Sequence, residues 1–278
     1  EFPEVLKSTP GVNVTKDGGG YGDSKINLRG FKSANVAVMI NGVPVNDMEW
    51  GGLYWSNWAG LSDVTRSMQT QRGIGASKIS SPSVGGTINI ITNTIDAKKG
   101  GTISYGVGND GANTISASFS TGLMDNGWAM SALLAKRWGN GYIQGTGYSA
   151  YNWFINVSKR INDNHQLSLT AFGAPQTHNQ RKPLYAGLSI EEWDKVAKWT
   201  GEKNKYRYNA VYGFDNNGKE RSSMTNTYHK PQISLNHQWQ IDYKSSLSTA
   251  LYMSIGRGSG YSGQGRTSAY RSMWNGSS

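Results

Sequence analysis

The sequence has no cysteine, only seven prolines and only four histidines in 278 residues. Without cysteine there is no disulfide frame, no thiol nucleophile and no thiolate metal site, although the redox compartment stays undecided. No stretch approaches 18 consecutive apolar residues, so no transmembrane helix is encoded. A membrane wall of strands stays open, because each barrel strand needs only about 10 alternating residues. The mean hydropathy of -0.55 suits a water-soluble chain and equally a barrel with a polar lumen and large loops. The start offers no initiator Met, charged n-region or apolar h-region, so no targeting signal is visible.

Signatures of catalysis are missing as well. There is no G-x-S-x-G and no H-E-x-x-H, and His165, His178, His229 and His237 are scattered. Glu191-Glu192 lie on a predicted surface helix, where solvation is the ordinary role of such a pair. No enzyme, metal site or cofactor is expected. Acidic residues are fewer than basic ones, 18 against 28, and residues 101–278 carry most of the net charge of +10. The basic residues gather in one Tyr-rich stretch without a helix-turn-helix, zinc or RNA-binding motif, so nucleic acid is not expected as a partner.

Glycine (36), tyrosine (15) and tryptophan (10) are plentiful. The organising stretch is Gly73–Thr94, a Gly/Ser/Pro-rich loop that turns on Gly85-Gly86 and launches Thr87–Thr92, whose Ile88, Ile90 and Ile91 predict a short strand. Upstream, Val12-Asn13-Val14 and Ile26–Phe31 read as strands separated by the loop Lys16–Asp23. Lys32–Asn35 reads as a turn after which Val36–Ile40 pairs back, and Asn41-Gly42 is a type I′ hairpin signal before Val43-Pro44-Val45. Leu61–Gly73 predicts a short helix and then a strand.

Beyond Asp96–Gly101 the pattern becomes clean alternation. Seven apolar rows run through Ile103–Val107, Ile115–Phe119, Trp128–Leu134, Tyr151–Val157, Leu167–Ala171, Ile233–Trp239 and Leu247–Ile255. A soluble sandwich alternates in the same way, but the connections discriminate. Gly122–Gly127, Asn162–His165 and Asp242–Ser245 are tight, whereas Gly139–Ala150 and Pro175–Thr227 are long. Short turns at one end and long loops at the other, with aromatics near strand ends, predict a barrel. Gly258–Ser278 is expected to be another outer loop. Within Pro175–Thr227, Ser189 with Glu192 forms a capping-box pattern ahead of Ile190, Trp193, Val196 and Ala197, a short amphipathic helix. The basic and aromatic run Lys203–Tyr208 either packs on neighbouring loops or binds an acidic ligand or the anionic outer leaflet.

Four pieces in order, Pro10–Val14, Asn27-Leu28-Arg29-Gly30-Phe31, Val38–Val45 and Arg72-Gly73 with the G-G-T-I-N-I-I-T run, resemble the plug domain of TonB-dependent outer-membrane receptors. The resemblance covers about residues 3–94. It implies a mixed plug domain (small β-sheet with short helices) inside a transmembrane antiparallel β-barrel that is incomplete in this chain. The plug would span residues 1–96 and the first part of the barrel 97–278, with a long outer loop at 175–227. Seven strands do not close such a barrel, since plugged outer-membrane transporters have 22. The remaining strands and an upstream coupling motif are expected elsewhere in a longer precursor.

The resemblance further implies a bacterial outer-membrane location and TonB-driven import of a scarce or bulky ligand. The implied partners are TonB with its inner-membrane energising complex, outer-membrane lipid and a small-molecule, peptide or glycan ligand. A surface lipoprotein is a further partner that the family allows, although the G-G-T-I-N-I-I-T ending is closer to ordinary receptors than to the glycan-importing branch. Arg29, Gly30, Arg72, Gly73, Gly85 and Gly86 are the plug's structural positions. Gln69 stands where many members carry an acidic residue, which weakens any inference about salt bridges inside the plug. Substrate contact is expected from Asn46–Gly60, where Asp47, Glu49, Trp50, Tyr54, Trp55, Asn57 and Trp58 combine flat aromatic faces with a few polar groups. The same aromatics could instead pack on the sheet or the inner barrel wall. The alternative for the whole chain is a non-transporting, ligand-binding or adhesin-like outer-membrane β protein.

Overall fold

The computed structural model describes residues 12–16, 24–28, 36–46, 53, 55–58, 61–72, 86–92, 95–181, 188–201 and 203–262. Its N-terminal part holds two small sheets. β1 (Val12–Lys16) pairs antiparallel with β2 (Ser24–Leu28), placing Val14 opposite Ile26, both buried. The second sheet combines β3 (Val36–Ile40), β4 (Val43–Pro44), β5 (Thr65–Arg72) and β6 (Gly86–Thr92) in the order β4-β3-β6-β5.

All five residues of β3 are buried, as expected of a central strand covered on both faces. The expected pairing of Val36–Ile40 back onto the preceding strand is not what forms. β3 instead runs parallel to β6, some 50 residues later in the chain, while β2 keeps to β1. The hairpin to β4 turns on Asn41 (φ 51°) and Gly42 (φ 79°), the two positive angles that a type I′ turn needs. Asn41 also ties this turn to β6. Its Oδ1 accepts from Thr92 N at 3.0 Å and its Nδ2 donates to Thr92 Oγ1 at 2.9 Å. Where β4 stops, the Asn46 side chain takes over as a strand partner, accepting from Val38 N and donating to Val36 O.

Most of the rest of the chain forms one antiparallel sheet. It contains β7 (Gly100–Val107), β8 (Asn113–Ser120), β9 (Trp128–Gly139), β10 (Tyr148–Arg160), β11 (His165–Gly173), β12 (Gln176–Asn179), β15 (Met224–His229), β16 (Gln232–Gln240), β17 (Ser246–Ser254) and β18 (Arg257–Ser262). Three pairs among these are single long strands with a short interruption, because β10 keeps the same register against β11 and β12, as β11/β12 does against β16/β15. The breaks fall at Pro175, Pro231 and Gly256, two of them residues that cannot donate to the ladder. Pro175 still accepts from Tyr151 N at 2.9 Å, so the sheet stays continuous. Two stretches read as loop therefore carry wall: β12 and β15 extend the strands into 175–227, and β18 does the same beyond Gly258.

Burial in this sheet is inverted relative to a water-soluble protein. Along β9 and β10 the buried face carries Ala129, Ser131, Leu133, Ala135, Ala150, Asn152, Phe154, Asn156 and Ser158. The opposite face exposes large apolar side chains, including Ile103 (85%), Leu134 (61%) and Leu251 (71%). A continuous apolar face of this kind is a lipid-facing band. Around Asn156 the buried polar side chains satisfy one another: its Nδ2 donates to Ser168 Oγ and Thr170 Oγ1, both at 2.9 Å, and Ser158 Oγ donates to Asn156 Oδ1 at 2.8 Å. Among the described residues no helix is long and apolar enough to cross a membrane.

At one end the wall strands are joined by the tight turns near 121–127, 161–164 and 241–245. Gly127 (φ 81°) is required there, because a Cβ would lie 2.6 Å from Arg160 O. The other end carries the long connections. One of these holds α1 (Ile190–Thr200), capped by a complete Ser189–Glu192 box and closed by Gly201 in the left-handed region. It also holds the hairpin β13 (Tyr212–Phe214) and β14 (Glu220–Ser222). The helix forms as predicted, but Trp193 alone is buried and Ile190 lies in solvent.

Candidate functional site

The two N-terminal sheets and the polar face of the wall enclose one core. Val38, Ile40, Leu53, Trp55, Trp58, Ile88 and Ile90 from the first part cluster with Leu133, Ala135, Phe154 and Phe172 from the wall. The first part of the chain thus packs as a stopper against the polar face of the sheet.

Stopper and wall are coupled at the short 3-10 turn Trp55–Trp58, all four residues of which are buried. The wall reaches this turn through β12 and β15. Gln176 Nε2 donates to the Ser56 carbonyl oxygen, and the Tyr228 hydroxyl donates to Ser56 Oγ. Gln176 and Tyr228 are opposite each other in the ladder, so both bonds come from one rung. Two more links lie elsewhere. Asn236 Nδ2 donates to Asn41 O at 3.0 Å, and Arg137 Nη2 forms an ion pair with Asp63 Oδ2 at 2.6 Å. Beside Asp63 a cleft of about 320 Å³ opens between stopper and wall, lined by Lys98, Ser118, Phe119 and Phe154 among others.

Of the residues expected to touch substrate, Trp55, Asn57 and Trp58 belong to this buried turn; Asp47, Glu49, Trp50 and Tyr54 lie outside the described residues. Trp55 (3%) and Trp58 (4%) pack in the shared core, the wall-packing alternative for these rings. Trp58 Nε1 is buried with no hydrogen-bond partner among the described residues. Among the structural positions, Gly86 opens β6 at φ 131°, a conformation that L side chains rarely adopt. Arg72 ends β5, while Arg29, Gly30, Gly73 and Gly85 lie outside the described residues. The docking residues Gln176, Tyr228, Asn236 and Arg137 were missed from sequence. Their only signal was a place on the small, polar face of each strand, and Gln176 sat in a stretch read as loop.

Above the wall the long loop packs on its neighbours, the first of the two alternatives for Lys203–Tyr208. Arg207 Nη2 reaches Asp110 Oδ1 at 2.5 Å and its guanidinium lies 5.0 Å from the Tyr142 ring. Asn209 Nδ2 donates to Gln144 O at 2.9 Å. Trp193 of α1 meets Tyr206 edge-on, and the Arg181 guanidinium lies over Trp193. An ion pair with Asp194 raises the Lys205 pKa. Backbone hydrogen bonds, from Lys219 N first, hold the Asp215 carboxyl below its usual range and fix the hairpin tip.

A strand wall with an apolar outside, a polar inside and a packed stopper defines a plugged outer-membrane β-barrel. Residues 1–87 match the family model described as TonB-dependent Receptor Plug Domain. Residues 1–87 therefore carry the plug domain of TonB-dependent receptors, and the chain shares the fold of solved receptors of that kind. The chain is 30% identical over 178 residues to a Vitamin B12 transporter BtuB of Photobacterium profundum, covering 61% of this chain and 28% of the relative. It is 30% identical over 212 residues to a Vitamin B12 transporter BtuB of Vibrio cholerae, covering 76% and 31%. The chain thus spans under a third of these relatives' length. In fold it is similar to the ferric citrate transporter FecA in its unliganded form (TM-score 0.67, 17% identity, 95% of this chain and 38% of that one). The siderophore receptor PiuA from Acinetobacter baumannii is similar too (TM-score 0.66, 14% identity, 93% and 34%).

Proposed function

We propose that this chain is the plug and opening wall of a transporter that imports a scarce or bulky ligand across the bacterial outer membrane. TonB and the inner-membrane energising complex supply the force. The observation that carries this is the wall's inversion together with a plug packed into its polar side: a stopper held by a shared apolar core and a few polar bonds closes a path that has to be opened. Vitamin B12 and ferric citrate in the names of relatives point to ligands too large for open diffusion.

In this mechanism the ligand settles among the outer loops and the plug segment 47–58. Asp47, Glu49, Trp50 and Tyr54 contact it, while Trp55, Asn57 and Trp58 couple the ligand to the wall through the Ser56 turn. Pulling on the plug then breaks the bonds to Gln176, Tyr228, Asn236 and Arg137, which are polar groups that water can satisfy in turn. The domain division at about residue 96 follows the same logic, since the last plug strand ends at Thr92 and the first wall strand starts at Gly100.

The test is uptake by cells whose only receptor is the full-length protein containing this chain. Screening corrinoid, ferric-siderophore, haem, glycan and peptide ligands should find one whose uptake stops when the energising partner is removed. Binding without energy-dependent uptake for every ligand bound would favour a surface-binding protein instead.

A further inference from the structure

The plug-facing side of the wall is not uniform. On β9, β10 and β11, Leu133, Ala135, Phe154 and Phe172 join the apolar core shared with the plug. One strand further, every inward position of β16 carries an amide or a hydroxyl: Gln232, Ser234, Asn236, Gln238 and Gln240. The boundary is sharp, because Gln232 stands opposite Phe172 in the ladder. On its other side β16 meets β17, which places three serines, Ala250 and Tyr252 opposite these five positions.

The two sectors also differ in how their polar atoms are paired. Asn156 and Ser158 of β10 bond to each other, and Asn156 bonds to Ser168 and Thr170 of β11. Ser234 stands opposite Thr170, and Asn236 opposite Ser168. Yet Gln232 Nε2, Ser234 Oγ and Asn236 Oδ1 are buried without a hydrogen-bond partner among the described residues. Groups of this kind gain when water or a polar solute reaches them. The plug is tied to this sector by Asn236 Nδ2, which donates to Asn41 O at 3.0 Å.

Parting the plug from the apolar sector exposes hydrocarbon to water, whereas amide and hydroxyl groups exchange a plug contact for water at little cost. A pull on the plug therefore opens the polar sector first. Building on the import reading above, we infer that the imported ligand passes the plug along the inward face of β16 and β17, while the plug stays seated on β9, β10 and β11. Of the polar links between plug and wall, the bond from Asn236 to Asn41 parts first and the Asp63–Arg137 pair, on β9, last. Inward side chains on β16 recur about every 7 Å along the strand, so a moving ligand meets successive neutral hydrogen bonds that are weak enough to release. Such a path suits a ligand rich in hydroxyl, amide or carbonyl groups.

The test compares two buried positions, one in each sector: Ser234 (1% exposed) and Ala135 (2%). Ser234→Cys and Ala135→Cys are made singly in the full-length receptor, and cells are treated with a charged, membrane-impermeant maleimide while supplied with the ligands of the uptake screen. With the energising partner present, Ser234→Cys should be labelled about tenfold faster than without it, and Ala135→Cys should stay at its slow rate. Heat-modifiable gel mobility checks folding, and the buried Ser158→Cys replaces Ala135→Cys if that variant does not fold. Equal acceleration at both positions would mean that the plug leaves the wall as one body and would overturn the inference. So would acceleration at 135 alone, or energy-dependent uptake with no change at 234. Loss of the import reading has a separate sign, the absence of energy-dependent uptake of any ligand by the wild type, and the path falls with it.

Discussion

Arg137 on β9 and Asp63 in the plug meet at 2.6 Å, although 74 residues separate them in the chain. The pair joins stopper to wall at a place where both side chains keep partial access to solvent, 24% and 35%. Screening limits such a pair to about 0.5–1 kcal/mol. Asp63→Asn should therefore leave the barrel's unfolding midpoint almost unchanged. Its effect should appear as faster proteolytic cleavage of the plug, and Asp63→Arg combined with Arg137→Asp should restore the wild-type rate. A large fall in barrel stability would show that the pair holds the wall and not the stopper.

The Ser56 turn provides a second check. Tyr228→Phe removes one of the two wall donors to Ser56 and should cost about 1 kcal/mol of plug docking. Hydrogen exchange of the backbone at 55–58 should speed up by roughly the corresponding factor of five, with the sheet β9–β10 unchanged. An equal increase in both regions would mean global loosening. Adding Gln176→Ala should deepen the local effect, since both bonds come from one rung of the ladder.

Much of this architecture was legible in the sequence, and what was not has identifiable physical causes. The wall strands could be read because lipid selects every second residue, so Leu134, Ile155 and Leu251 stand out from small or polar neighbours. Asn41-Gly42 was readable because few residues tolerate two positive φ angles in succession. The partner of β3 was not, because nothing in Val36–Ile40 distinguishes a hairpin to β2 from a parallel ladder to β6. Trp55 and Trp58 look alike in sequence whether they greet a ligand or pack against Phe154 and Phe172. Pro175 concealed β12, since proline reads as the end of a strand although its carbonyl still serves the ladder.

The capping box of α1 makes a pH prediction. Hydrogen bonds from Ser189, its backbone N–H first, hold the Glu192 carboxyl below its usual value of 4.5. A carboxyl lowered by folding contributes helix stability that is fully present above the unfolded pKa. That contribution is lost as pH falls through the lower, folded value. Protection of residues 190–200 from proteolysis by pepsin should thus drop as the pH is taken below about 4, and Glu192→Gln, which removes the titrating carboxyl, should abolish this dependence. Protection that rose on acidification would contradict the box.

Lipid exposure of the outer face predicts depth-dependent penalties. Leu134→Lys, on the apolar row, should destabilise the folded barrel in bilayers by about 2–4 kcal/mol if it sits near the midplane. Substituting Tyr151, near the long-loop end, by Lys should cost about 1 kcal/mol or less. Urea unfolding of the full-length protein in phospholipid vesicles measures both. Equal costs at the two positions would argue against a bilayer around this wall.

The most direct measurement uses adjacent residues of one strand. Leu133 points into the plug-filled core and Leu134 points away from it, and the absence of native cysteine in this chain lets each be replaced by a single spin-labelled cysteine. In vesicles the label at 134 should be accessible to oxygen, which concentrates in lipid, and mobile; the label at 133 should be immobilised and shielded from oxygen and from aqueous nickel reagents. Equal oxygen access at both sites, or access at 133 alone, would contradict a lipid-facing wall packed around an N-terminal plug.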